Sequence, residues 1–277
     1  MTYLRAALLV VLFIPCVHSA TAEDLKRCRD LLRTALGEHG PETRRQAVLA
    51  LSLLGGRQPY ITMVQSALAD KDLPVRLAAV SSLAEVRSKT SISALKQALD
   101  DDTPEVSFAA AKALLALNDP AGKGALLSVL SGETKTSSSF FSKQKRDAMR
   151  MMQTPKGMFL FALRQGIGFA PIPGIGSGLA SMQGLLSDPS VSGRATAALL
   201  LARERDPKTL AALRDALSDK DWSVRAAAVH ALALRDDPRL RIDLRPLLDD
   251  KKEGVRLRAA AGILRLERRV QAPAPKR

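Results

Sequence analysis

A leucine returns at nearly fixed intervals along this chain, at Leu36, Leu68, Leu99, Leu130, Leu186, Leu217 and Leu248. In sequence numbers the successive steps are 32, 31, 31, 56, 31 and 31, so only the fourth departs from the rhythm. Four positions before each stands another apolar residue: Leu32, Val64, Leu95, Leu126, Met182, Leu213 and Leu244. An apolar pair at i, i+4 lies on one face of a helix. The spacing therefore predicts the same helix seven times.

A second pattern starts seven positions after most of these leucines. It reads Thr43, Ala47, Leu51, then Val75, Ala79, Leu83, then Val106, Ala110, Leu114. After the long step come Val191, Ala195, Leu199, then Val224, Ala228, Leu232, then Val255, Ala259, Ile263. Positions 0, +4 and +8 share one helical stripe, with a small Ala where two helices must approach closely. Between the two helices stand Asp72 and Pro74, Asp102 and Pro104, Asp188 and Pro189. Asp satisfies orphan amides at a helix start, and Pro suits the first helical turn. Each unit is a helical hairpin that cannot bury its apolar stripe alone, so neighbouring units must stack. The expected fold is all-α: an α-solenoid of about seven hairpins, an armadillo-type superhelix.

The stretches Asp72-Leu73-Pro74-Val75-Arg76-Leu77-Ala78-Ala79-Val80 and Asp221-Trp222-Ser223-Val224-Arg225-Ala226-Ala227-Ala228-Val229 carry a resemblance. They resemble HEAT repeats, and more narrowly the short HEAT-like repeats also found in phycobilisome bilin lyases. The resemblance implies a ladder between repeats, in which an Asp before the second helix bonds an Arg just inside it. The matching pairs are Asp72 with Arg76, Asp221 with Arg225 and Asp250 with Arg256. Ser107 and Ser192 stand where Arg is expected, which implies a discontinuous ladder. The likeness covers residues 23–268 apart from the long step, and it bears on fold more than function, because one fold hosts many roles. A bilin-lyase-like activity is the remotest function it implies.

The segment before Glu23 is of another kind. Arg5 gives a positive start, Ala6 to Pro15 an apolar run, and Ala20-Thr21-Ala22 a small-x-small cleavage site. That is the layout of a secretory signal peptide, with an apolar run too short to span a membrane. The expectation is an exported protein, periplasmic or secreted. The residues preceding Cys16 make a poor lipobox. Cleavage leaves Cys28 without a partner for an internal disulfide, and packing in the first helix is the expectation for it. The chain thus divides into a signal peptide at 1–22, N-terminal repeats at 23–133 and an irregular insertion at 134–187. C-terminal repeats at 188–269 and a disordered tail at 270–277 follow.

The chain carries 42 Lys and Arg against 28 Asp and Glu, a net charge of +14. So basic a chain favours acidic partners, whether an acidic protein face, an anionic membrane surface or an acidic polysaccharide. Export argues against nucleic acid, as does an aromatic content of 4%, which offers little for base stacking. In the second helices, positions +2, +3 and +6 point away from the stripe. They hold Arg45, Lys112, Arg194, His230 and Arg258, an expected basic inner surface for a partner. Trp222, the only Trp, is a further candidate anchor in an inter-helix turn.

The long step breaks the plain array. Ser137-Ser138-Ser139-Phe140-Phe141-Ser142 stands where a second helix should begin, and Lys143, Lys145, Arg146, Arg150 and Lys156 follow against one acid, Asp147. Ala148, Met151 and Met152 give this run an apolar side. Residues 165–187 then hold no Lys or Arg, and no Asp or Glu, but eight Gly and Pro between Gly166 and Gly184. Two prolines and that glycine density exclude a spanning helix. The expectation is an irregular apolar loop folded over the solenoid. The second reading is a membrane or partner contact through Lys143, Lys145, Arg146, Arg150, Phe169, Ile172 and Ile175.

Chemistry is sparse. Gly166-Ile167-Gly168 has Pro171 in place of a third glycine, Gly174-Ile175-Gly176 has Leu179, and no Gly-Lys-Ser/Thr ending exists. His39 and His230 have no second ligand at metal spacing. Metal-dependent HEAT hydroxylases use His-Glu pairs, and no His is followed by Glu here. Asp100 with Asp101 and Asp249 with Asp250 recur at one place in the repeat, which suits capping better than acid–base work. No Gly-x-Ser-x-Gly elbow is present. No catalytic residue, metal or cofactor is expected, and the function expected is a binding scaffold.

Overall fold

The computed structural model describes residues 22–131 and 192–271. Among them are twelve α-helices and no strand. The helices are α1 (Ala22–Gly37), α2 (Pro41–Leu51), α3 (Tyr60–Ser66), α4 (Leu73–Val86), α5 (Lys89–Gln97), α6 (Pro104–Ala116) and α7 (Pro120–Leu130). After the gap come α8 (Gly193–Leu200), α9 (Pro207–Asp215), α10 (Trp222–Leu234), α11 (Arg241–Leu244) and α12 (Glu253–Gln271).

Local sequence accounts for the boundaries. Ser88, Asp119, Ser192, Asp206 and Asp221 accept from main-chain amides of the helices they precede. Proline opens α2, α6, α7 and α9, where a missing amide costs nothing. The first helix of a unit closes in a tight 3-10 turn: Ala67–Ala69, Ala98–Asp100, Ala216–Ser218 and Arg245–Asp249. Leu68, Leu99, Leu217 and Leu248 of the sequence rhythm sit in these turns rather than on the α-helix itself. The leucine beat therefore marks the end of each described first helix, in a 3-10 turn at these four and on the α-helix itself at Leu36 and Leu130.

The stripes of the second helices form the core. Val75, Ala79 and Leu83, Val106, Ala110 and Leu114, Val224, Ala228 and Leu232, and Val255, Ala259 and Ile263 are each at most 3% exposed. Side by side, α2 packs on α4, α4 on α6, α8 on α10 and α10 on α12.

The row does not stop at α12. That helix packs against α1 and α2, from the opposite end of the chain. The C-terminal unit thus takes the place in the stack directly before the N-terminal one. Second helices follow in space as α8, α10, α12, α2, α4 and α6. At the junction Arg258 donates to Gln46 Oε1 at 2.6 Å and Arg265 to the Leu53 carbonyl at 2.6 Å. The Thr43 hydroxyl donates to Glu253 at 2.6 Å, and Asp24 pairs with Arg245 at 3.2 Å. Arg27 pairs with Asp249. Chain order alone does not reveal this neighbourhood.

The candidate binding surface and the arginine ladder

Loops between first and second helices line one edge of the stack, and arginines tie each to the next. Arg44 donates from Nε and Nη2 to the Asp70 carboxylate at 2.8 and 2.9 Å, and from Nη1 to the carbonyls of Glu38 and His39. Arg225 repeats this on Asp250 at 2.6 and 2.8 Å, with Nη1 on the Asp219 carbonyl. Arg76 places Nε 3.1 Å from Asp101, Nη2 on the Thr103 hydroxyl and Nη1 on the Asp70 carbonyl. A planar guanidinium suits such forked bonding, which lysine cannot reproduce.

The ladder exists, with different acids. The resemblance implied Asp72, Asp221 and Asp250, each with the Arg that follows it; the carboxylates that hold the rungs are Asp70, Asp101, Asp219 and Asp250, each in the unit after its arginine, and Asp250 serves Arg225 rather than Arg256. Asp221 instead caps α10 through the Ser223 amide, while Asp72 adds a second bond to Arg44. Ser192 does not interrupt the ladder, because Arg194 reaches Asp219 from two positions further on. Ser107 turns to the Leu99 carbonyl of its own unit.

The rungs shape the acids' ionisation. The Arg44 bond is the main cause holding Asp70 below the usual carboxylate range. Asp219 is lowered by the Asp221 amide and then by Arg194. Burial pushes Asp250 up, and the bonds from Arg225 and the Lys252 amide outweigh it.

The expected inner basic surface divides. Lys112 and Arg194 are exposed, as expected, although Arg194 is spent on its rung. Arg45 is half-buried and bonds Glu42 at 2.7 Å. His230 and Arg258 are not on the surface: they are 4% and 1% exposed. The reason is packing: α12 lies between α10 and α2, and α10 also touches the 3-10 turn Ser52–Leu54. Positions +3 and +6 in these units, including Gln46, Leu49, Ala227 and Ala261, are buried with them. Trp222 begins α10 and packs, half-buried, against the core. Lys143, Lys145, Arg146, Arg150, Phe169, Ile172 and Ile175 lie outside the described residues, as does all of 134–187.

Burial leaves His230 neutral. Desolvation first, then the charges of Arg258 and Arg265, push its pKa down to about 3. An unfolded histidine takes up a proton below its ordinary 6.5 while the folded one does not. Stability from this residue is thus complete above that value and is lost as pH falls from there toward about 3. We expect His230 to cost roughly 2 kcal/mol between neutral pH and about pH 5, from about 1.4 kcal/mol per unit. Urea titrations at each pH measure it, and His230→Leu should flatten that window. A decline confined to below about pH 4 would assign the loss to carboxylates such as Asp70.

Cys28 is fully buried in α1, and burial is the main cause pushing its thiol up to about 12. Among the described residues no group of three or more His, Cys, Asp or Glu is placed to hold a metal ion. Among them, too, no helix is long and apolar enough to cross a membrane.

A family model described as HEAT repeats matches residues 61–136 and 180–265, more than half of the chain. No curated protein matches the chain. Among solved structures, human deoxyhypusine hydroxylase in complex with glycerol is 18% identical over 89% of this chain and 98% of that chain. Its TM-score is 0.33.

Proposed function

The chain belongs to the HEAT-repeat family, and on that premise we propose a non-catalytic scaffold outside the cytoplasm that binds an acidic protein partner. The observation that carries this reading is how the cations divide. Arginines are spent on rungs and on loop carbonyls, whereas most lysines are left to solvent, Lys96 with its pair to Asp119 excepted. Lys26, Lys71, Lys112, Lys123, Lys220, Lys251 and Lys252 are exposed and make no ion pair among the described residues. Net charge alone overstates the basic surface, because most arginines face an internal acceptor.

The hairpin α6–α7 supports a place for the partner. Leu115, Leu127 and Leu130 are 46%, 53% and 82% exposed, beside Lys112 and Lys123. Lys123, Leu127 and Leu130 follow at i, i+4 and i+7, one stripe of α7. Apolar surface flanked by unpaired ammonium groups suits an amphipathic helix with acidic residues bordering its apolar face. The export part of the reading rests on the layout of the segment before Glu23, which lies outside the described residues except for Ala22.

Crosslinking of tagged full-length protein in its native cells, followed by fractionation, identifies the partner. Lys112→Glu with Lys123→Glu should weaken binding of that partner at least tenfold and leave the thermal midpoint within a few degrees. Unchanged affinity in the double variant, or a partner rich in Lys and Arg, would remove the reading.

A further inference from the structure

We propose that Arg256 anchors a carboxylate-binding site in the groove between α1 and α12, one that takes a short peptide segment bearing an acidic and a neighbouring basic side chain. The ladder itself is the argument. Arg256 holds its guanidinium as Arg44, Arg76 and Arg225 do, with Nη1 on the carbonyls of Asp250 at 2.9 Å and Lys251 at 3.4 Å. In those three rungs Nε and Nη2 face acceptors of the following unit. Arg256 has none there. Its only ion pair among the described residues is Glu253, one turn back on its own helix, at 3.9 Å.

The unit that follows in space is the N-terminal one, and its loop offers Glu38 where Asp70 stands in the next. Glu38 is exposed and makes no ion pair with Arg256. The junction joins units that are not consecutive in the chain, so no inter-unit turn draws this rung shut. What lies there instead is a groove of about 480 Å³, lined by Arg256 and Lys26, with Leu31, Ala35 and Leu257 along its wall. That volume falls within the range of pockets that hold small ligands, roughly 300–1,000 Å³. A planar guanidinium already fixed on one edge presents the forked donors that a carboxylate accepts. With Arg27, the carboxylates of Glu23, Asp30, Glu38 and Glu253 also line the groove. They disfavour a purely anionic ligand and fit a cationic group a few ångströms from its carboxylate. This site stands on the ladder and not on the α6–α7 hairpin, and goes beyond the scaffold reading by naming the group bound.

The test uses the full chain, with the peptides acetyl-Glu-Ala-Lys-amide and acetyl-Gln-Ala-Lys-amide as probes. The Nε–H signal of Arg256 is followed by NMR. The glutamate peptide should shift that signal saturably, and the glutamine peptide should bind at least tenfold more weakly. Arg256→Lys should weaken glutamate-peptide binding tenfold, followed at the amides of α1. Thr34→Trp fills the groove from an exposed position, leaves Arg256 in place and should abolish the response, which keeps the test open if Arg256→Lys does not fold. Equal response to both peptides, or none, overturns the proposal. So does a large shift of the Arg256 signal in Glu38→Gln without peptide, because the chain would then close its own rung. Loss of this site with partner binding intact at α6–α7 sinks the groove alone, and the converse sinks the scaffold reading alone.

Discussion

Arg258→Ala is expected to lower the unfolding free energy by about 4 kcal/mol, among the largest effects of a single change in this chain. The side chain is 1% exposed and donates to Gln46 Oε1 and to the Gly254 carbonyl at 3.0 Å. Truncation empties a long buried volume and leaves two buried acceptors without that donor. Cavities of this size cost about 2–5 kcal/mol, and an unsatisfied buried group about 1–3 kcal/mol. Arg258→Met keeps the packed stem and should lose about half as much. Urea denaturation of the three proteins checks both values. Since Gln46 lies on α2, the same variant should speed hydrogen exchange at the amides of α2 as well as α12. Exchange faster in α12 only would mean that the contact between the two helices is weak.

Gly122→Ala is expected to cost about 3 kcal/mol, while Gly124→Ala, two positions on in the same helix, should stabilise. A Cβ on Gly122 would stand 2.3 Å from the Leu115 amide nitrogen, 2.7 Å from the Ala111 carbonyl oxygen and 2.8 Å from the Leu114 carbonyl carbon. All three are main-chain atoms, which cannot rotate aside, so α7 must lift from α6. Overpacking of this kind costs about 1–3 kcal/mol and occasionally more. Around Gly124 nothing lies within 4 Å, and replacing a mid-helix Gly by Ala gains about 1 kcal/mol. Opposite signs in thermal melts of the two variants are the expected result. Equal shifts would mean that the α6–α7 contact is looser than the geometry requires.

The array was legible in the sequence because its signal is local. Val224, Ala228 and Leu232 mark a stripe that needs no knowledge of distant contacts. The rungs were half legible. Asp70 and Asp72, like Asp219 and Asp221, stand two apart, and spacing cannot say which carboxylate turns to its own helix and which to the unit before. Arg44 carries the same signal in part, being an Arg just inside a second helix, although its own loop lacks Asp. The burial of His230 and Arg258 was signalled too. Ala226-Ala227-Ala228 and Ala259-Ala260-Ala261 make helices apolar around most of their girth, which marks burial on every side. Nothing in the chain order announces that α12 lies on α1 and α2. That contact depends on the summed curvature of several units, and each small rotation is set by packing rather than by any one residue.

The meeting of the C-terminal unit with the N-terminal one is the claim on which the groove, the buried arginine and the spatial order of the loops all depend. Spin labels at Thr34→Cys and Lys252→Cys test it in the full chain, with Cys16 replaced by serine and the buried Cys28 left in place. Both positions are exposed, and Thr34 and the adjacent Glu253 line one groove. A single distance below about 25 Å is expected, two label arms added to the spacing of packed helices. An array that ran on in chain order, with neighbouring helices about 10 Å apart, would separate the labels by roughly 50–60 Å, and a distribution centred there would contradict the account.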